Sequence, residues 1–384
     1  MPTTSWTRDH LSLLRDDPAT ATAVLGPDDV RPLVDGLHFW DLWPVRTADG
    51  AVASWCGREV WAGLSARAVG HPGDRHDVAR IRLIARDGDG WGDLGPLFPD
   101  GASLGSREWA GTLVLHEDAG RLEACYTAAG TRDEPARTFR QRIVGTSAPT
   151  SCGPDGPVVG GWDPHVELVQ ADGVRYQPAD EAGGVPGFIK AFRDPFRLDL
   201  DGESWMLFTG SVAGAEHPDF NGLVGLARAT ARDEHGLPCG WELLDPLVTA
   251  DGVNNELERP HVVLNGGLVY LFISTQVRTF DPAVSGPTGL YGFVADALTG
   301  PFRPLNGSGL VLRNPVEEPS QAYSWFVLPD LTCVGFVDSW GLGGRSPDDL
   351  EAEGADVVRR HFGGTMTPPV RLVLEGDRAS VHPA

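Results

Sequence analysis

Three short stretches place a carboxylate beside an aromatic ring, an arginine or a proline: Trp40-Asp41-Leu42-Trp43-Pro44, Phe192-Arg193-Asp194-Pro195 and Glu256-Leu257-Glu258-Arg259-Pro260-His261. Taken singly, each acid has an ordinary reading as a solvated loop charge. Asp41 would cap a turn, Asp194 would pair with a neighbouring arginine and Glu258 would face water. Taken together they suit glycoside hydrolysis with retention. That chemistry needs one carboxylate as nucleophile and one carboxylic acid as proton donor, about 5 to 5.5 Å apart, around an oxocarbenium-like transition state. A third carboxylate then binds sugar hydroxyls and stabilises the cation. Flanking tryptophans fit, because indole packs on the apolar face of a sugar ring while charged groups take its hydroxyls.

Other chemistries have less to stand on. Lys190 is the only lysine, so a Schiff-base enzyme would hang on one residue. Cys56, Cys125, Cys152, Cys239 and Cys333 show no CxxC spacing, which indicates neither a zinc site nor a disulfide scaffold. Five free thiols are expected, and they favour a cytoplasmic location; an exported protein is the alternative if thiols prove paired. His261 reads as a brace for the pocket through a hydrogen bond and not as a metal ligand. No cofactor is expected.

The elements that must position these groups are mostly strands. With 49 glycines and 31 prolines in 384 residues the chain is turn-rich and disfavours long helices. Runs of β-branched, aromatic and aliphatic residues recur between turn residues at 79–87, 111–118, 121–128, 203–210, 222–229, 289–296, 324–338 and 369–381. Residues 261–275 read as a hairpin turning at Asn265-Gly266. Helix-like pattern is confined to the ends, where residues 1–20 read as a short surface helix, and to 346–362. The Pro/Gly-rich stretch 145–164 reads as a long loop between sheets. No constant repeat period is visible. Strand runs continue to the C-terminus, which predicts a single domain over 1–384 with 1–35 as a peripheral N-terminal segment. A net charge of −22 argues against nucleic acid and anionic membrane surfaces as partners. The longest apolar stretch, 261–275, is too short to span a bilayer.

Seven segments in order resemble glycoside hydrolase family 68, the levansucrase, inulosucrase and bacterial β-fructofuranosidase group. They are WDLWPV, DRHDVARIRL (74–83), REWAG (107–111), FRDPF, LERPHVV, GLYGF and QAYSWFVLPDL (321–331). The resemblance covers most of the chain. It implies an all-β fold, a five-bladed β-propeller with short peripheral helices, and an acidic pocket on the axis acting on sucrose, with water or sugars as fructosyl acceptors. By the same resemblance Asp41 is the nucleophile, Asp194 the transition-state stabiliser and Glu258 the general acid/base. Trp40, Trp109, Arg193, Glu256, Arg259 and Gln276 match positions that shape the substrate pocket.

The chain also departs from the family pattern. Leu42 and Ala110 stand where a hydroxyl residue is common, so one hydrogen bond orienting the nucleophile is expected to be missing. Thr209 replaces a carboxylate near the stabiliser. Gln276 aligns where a basic residue faces the glucosyl or acceptor side, which leans toward hydrolysis and short transfer products. Calcium, seen in some members, would have only Asn255 and Asp219 to bind it, and no structural metal is expected. A sugar-binding propeller with little catalysis is the competing reading.

Overall fold

The computed structural model describes residues 2–88, 90–154, 156–179 and 189–382. Five antiparallel sheets follow one another along the chain. Blade I is built on the inner strand Leu37–Arg46, followed by Arg58–Arg67, Arg80–Asp87 and Gly90–Pro96. Blade II starts at Arg107–His116, blade III at Phe192–Leu200, blade IV at Glu258–Asn265 and blade V at Ala322–Val327. Each inner strand packs against the next, and that of blade V returns to that of blade I, so the five close a ring. Inner strands I and II also pair directly, in parallel, at Val45↔Leu113 and Arg46↔Val114. This is a five-bladed β-propeller. Strand runs without an obvious repeat produce it because each blade needs only a meander with one apolar face against its neighbours.

The inner strands share a local irregularity. Pairing with the second strand of each blade slips between Trp40 and Trp43, Trp109 and Gly111, Arg193 and Phe196, Glu258 and His261, and Tyr323 and Phe326. At four of these bulges a non-glycine residue has a left-handed backbone: Asp41 (φ 50), Asp194 (φ 56), Arg259 (φ 51) and Ser324 (φ 57). Such a conformation costs about 1–2 kcal/mol for a residue with a Cβ, and it persists only where surrounding packing enforces it. A bulge breaks the alternation of faces and re-aims a side chain. Pro195 and Pro260 fall inside two of the breaks, where a missing N–H costs no ladder hydrogen bond.

Four expectations need correction. The N-terminal helix is a single turn, Arg8–Leu11, and the segment clamps blades III and IV. Thr4 and Ser5 extend the blade III sheet beside Val248 and Thr249, and Trp6, 1% exposed, donates Nε1 to Ser308 O at 2.9 Å. The stretch 145–164 is not a loop throughout. The strand Gln141–Gly153 runs into it and Gly156–Val159 folds back on that strand. Small and polar residues there continue a ladder already set by the preceding strand. The hairpin of blade IV turns on Gly266 (φ 59) and Gly267 (φ 78), with Asn265 still paired to Leu268. Finally, Cys56 and Cys152 form a disulfide between blades I and II, leaving Cys125, Cys239 and Cys333 free. The expected five free thiols do not hold, because the ring brings a turn of blade I against a strand of blade II, a contact that the spacing of 96 residues hides. Helix-like pattern at 346–362 appears as Pro347–Glu353 and Ala355–His361. Among the described residues no helix is long and apolar enough to cross a membrane.

Candidate active site

The bulges gather the acidic motifs at the axis. Asp41 comes from blade I, Asp194 from blade III and Glu258 from blade IV, and each feels the charge of the other two or of the arginines between them. Sequence separation is irrelevant here, since all three sit at or beside the bulge of an inner strand.

Asp41 is partly exposed. Burial raises its pKa, whereas the Arg259 guanidinium and a hydrogen bond from the Ser324 hydroxyl favour the carboxylate. The hydroxyl absent at Leu42 and Ala110 has a counterpart in Ser324. It comes from blade V because the bulge at Ser324 turns its side chain to the axis. Arg259 ties the same corner together: Nη1 donates to Ser324 Oγ at 2.7 Å and to Ser324 O at 3.0 Å, and Nη2 donates to Leu42 O at 2.7 Å. Leu42 thus contributes its carbonyl.

Asp194 is 7% exposed, and burial with the nearby Glu258 and Asp41 charges pushes its pKa up to about 6 against the pull of Arg193. Its Oδ2 accepts from Thr209 Oγ1 at 3.0 Å and from the backbone N–H of Arg259 at 3.2 Å. Its own N–H donates to Thr127 Oγ1 at 2.9 Å. Thr209, the substituted carboxylate, serves as a neutral donor and adds no repulsion.

Glu258 accepts from Arg193 Nη2 at 2.8 Å and from the Tyr323 hydroxyl. Glu256 accepts from the same Nη2 at 3.2 Å. Glu256 is buried and Glu258 partly exposed, and a hydrogen bond between their carboxyl groups lets them hold one proton between them. Desolvation and the Glu258 charge push Glu256 up to about 8, while Arg193 and Tyr323 favour ionised Glu258. Tyr323, in the QAYSW motif, was not singled out from the sequence.

Around this centre lie the remaining expected residues. Trp40 meets His76 edge-on at 5.8 Å, and the Arg75 guanidinium lies 5.5 Å from its ring centre. Trp109 faces Thr127 across blade II, beside Asp194, and its Nε1 has no partner among the described residues. His261 braces inner strands IV and V: Nε2 accepts from Val327 N at 2.9 Å, Nδ1 donates to Arg259 O at 3.0 Å, and Phe326 stacks on the ring. Burial lowers its pKa to about 3, which keeps it neutral.

Gln276 immediately precedes a 3-10 turn. Its carbonyl accepts from Thr279 at the 3-10 turn Val277–Thr279. The basic charge comes two residues later, from Arg278, which acts on Glu256, Asp338, Arg75 and His76. A two-residue offset in a loop is invisible to residue-by-residue matching. Asp338 and Arg75 complete a charged rim near Asp41; Arg75 was legible in the DRHDVAR segment, while Asp338 had no sequence signal.

The calcium candidates do not form a site. Asn255 Oδ1 takes the Lys190 ammonium at 2.5 Å, a contact that would repel a dication, and Asp219 is exposed. Among the described residues no cluster of His, Cys, Asp or Glu has metal-binding geometry.

Carboxylates converging from separate blades, with guanidiniums between them, define an axial acid-centred site of the glycoside hydrolase kind on a five-bladed propeller. The sequence model of the Levansucrase/Invertase family matches residues 1–222 and 219–384, and the chain belongs to that family. It is 35% identical to a levansucrase of Pseudomonas savastanoi pv. glycinea, over 99% of this chain and 90% of that protein. A solved inulosucrase from Halalkalicoccus jeotgali, bound to kestose, superposes with a TM-score of 0.92 at 40% identity, over 99% of this chain and 95% of that one. A levansucrase from Gluconacetobacter diazotrophicus gives 0.82 at 26% identity, over 99% and 90%.

Proposed function

We propose that this protein is a retaining fructosyl enzyme that cleaves sucrose or a related β-fructoside and passes the fructosyl group to water or to a sugar hydroxyl. The observation that supports it most is the convergence of Asp41, Asp194 and Glu258 at the axis, with Arg193 and Arg259 bonded among them. The Asp41 carboxylate attacks the fructosyl anomeric carbon. As that bond forms, the bond to the glycosidic oxygen breaks and Glu258 delivers its proton there, releasing glucose. Glu256 is the neighbouring store of that proton, since the pair shares it. Asp194 holds fructosyl hydroxyls and offsets the developing positive charge. In the second half Glu258 takes a proton from water or an acceptor hydroxyl, which attacks the fructosyl-Asp41 ester and frees Asp41. Trp109, partly exposed, supplies an apolar ring face, while Trp40, 1% exposed, is packed against His76 and Arg75.

Asp41→Asn should lower kcat for glucose release from sucrose by several orders of magnitude with the fold intact. A mild defect would remove Asp41 from the role, and no glucose from wild type at pH 5 to 7 would end the proposal. With Arg278 beside the charged rim, the lean toward hydrolysis loses its premise, and chromatography of the sucrose products decides the balance. The Cys56–Cys152 bridge supports an oxidising compartment in place of the cytoplasm.

A further inference from the structure

The only lysine of the chain lies 8% exposed at the entry to inner strand III, three residues before Arg193. Its ammonium donates to Asn221 Oδ1 at 2.8 Å and to Asn255 Oδ1 at 2.5 Å. Both amides are fully buried. Burying an ammonium is costly unless it has firm hydrogen-bond partners. Desolvation lowers the Lys190 pKa, and the charges of Asp219 and Glu256 act in the opposite sense.

The consequence for Asn255 is directional. An amide has one oxygen and one NH2 group. With Oδ1 committed to the ammonium, Nδ2 is turned toward Glu256 Oε1, at 3.4 Å. The other oxygen of Glu256 meets Arg193 Nη2, which also holds Glu258. Asn221 is held in turn: its Nδ2 donates to Gln177 Oε1 at 2.9 Å and to Val212 O at 2.7 Å. The backbone carbonyl of Lys190 accepts from Gln141 Nε2 at 2.9 Å, and Gln141 Oε1 accepts from Phe192 N at 3.1 Å. The lysine therefore bridges the blade III entry and the segment that carries Glu256 into the inner strand beginning at Glu258.

We propose that Lys190 is a positioning residue for the acid/base pair: its ammonium fixes Asn255, and through it Glu256, in the arrangement that shares a proton with Glu258. The cation at this place is the chain's own ammonium, where Asn255 had been a candidate calcium ligand. The inference rests on the fructosyl-transfer reading, with glucose release by wild type as its control. If wild type releases no glucose, that reading fails; if wild type is active and the variants match it, this inference alone fails.

Glu256 is faced by Arg193 from blade III, Glu258 from its own blade, Tyr323 from blade V and Arg278 from the loop above, with Lys190 behind. Removing the Lys190 charge makes the shared proton harder to lose. Lys190→Met, close in shape and uncharged, should lower kcat on sucrose about tenfold, the effect of one misplaced charged hydrogen bond, with KM changed much less. The basic limb of its pH–kcat profile should move to higher pH. Lys190→Ala should recover several-fold in kcat on adding ethylammonium, and not on adding tetramethylammonium, which has no N–H. If Lys190→Met does not fold, Asn255→Ala tests the link with the ammonium left on Asn221, and kcat should again fall about tenfold, one charge-assisted contact. Wild-type kcat in Asn255→Ala, or a loss in Lys190→Met with the basic limb unmoved and no rescue by ethylammonium in Lys190→Ala, would overturn the proposal.

Discussion

Replacing Ser324 by Ala removes one oxygen atom and isolates the question of how Asp41 is held. The hydroxyl donates to the Asp41 carboxylate and accepts from Arg259 Nη1 at 2.7 Å. Arg259 itself should stay, because Nη1 keeps Ser324 O at 3.0 Å and Nη2 keeps Leu42 O at 2.7 Å. What is lost is a hydrogen bond to a charged nucleophile, worth about 1.5–3 kcal/mol. If it acts chiefly in the transition state, kcat should fall roughly 10- to 150-fold with little change in KM. The pH dependence has a sign too. The Ser324 bond favours ionised Asp41, so its loss raises the Asp41 pKa and shifts the acid limb to higher pH. Ser324 has φ 57, so Ser324→Gly serves as the control: glycine relieves about 1 kcal/mol of backbone strain that alanine retains. The two variants should differ in thermal midpoint and share the loss in kcat, read as initial glucose release across pH 4 to 9. A kcat within threefold of wild type in both, or an unmoved acid limb, refutes the assignment of Ser324 as the orienting donor.

Wild-type activity should follow a bell in pH, rising as Asp41 and Asp194 both become ionised, Asp194 near 6, and falling as the proton of the Glu256/Glu258 pair is lost near 8; a profile flat from pH 5 to 9 contradicts this. Arg278→Gln should lower the ratio of transfer to hydrolysis products about tenfold, the effect of one charge-assisted hydrogen bond to the acceptor, measured as free fructose against oligosaccharide; an unchanged ratio removes Arg278 from the acceptor side. Denatured, unreduced protein should titrate three thiols and five after reduction. Cys56→Ser/Cys152→Ser should cost about 2–4 kcal/mol of stability while leaving kcat intact, and five thiols without reduction would refute the bridge.

The types of residue and their local order determined much of this protein. Apolar runs bounded by turn residues make strands wherever they fold, so the strands at 79–87, 203–210 and 222–229 are legible directly. The motifs around Asp41, Asp194 and Glu258 also announce their chemistry, since carboxylates next to Trp, Arg and Pro suit no ordinary strand. What only the tertiary structure decided is the aim of each side chain. A bulge adds one residue and reverses every facing after it, and nothing in the alternation of Tyr323, Ser324 and Trp325 reveals that Ser324 turns to Asp41. Ring closure then sets partners by blade order and not by distance along the chain. It brings Ser324 to the nucleophile and Cys56 to Cys152, lets Arg278 supply the charge missed at Gln276, and seats the lone lysine on Asn255. Local propensity depends on neighbours a few residues away, whereas these contacts depend on how five sheets close around one axis.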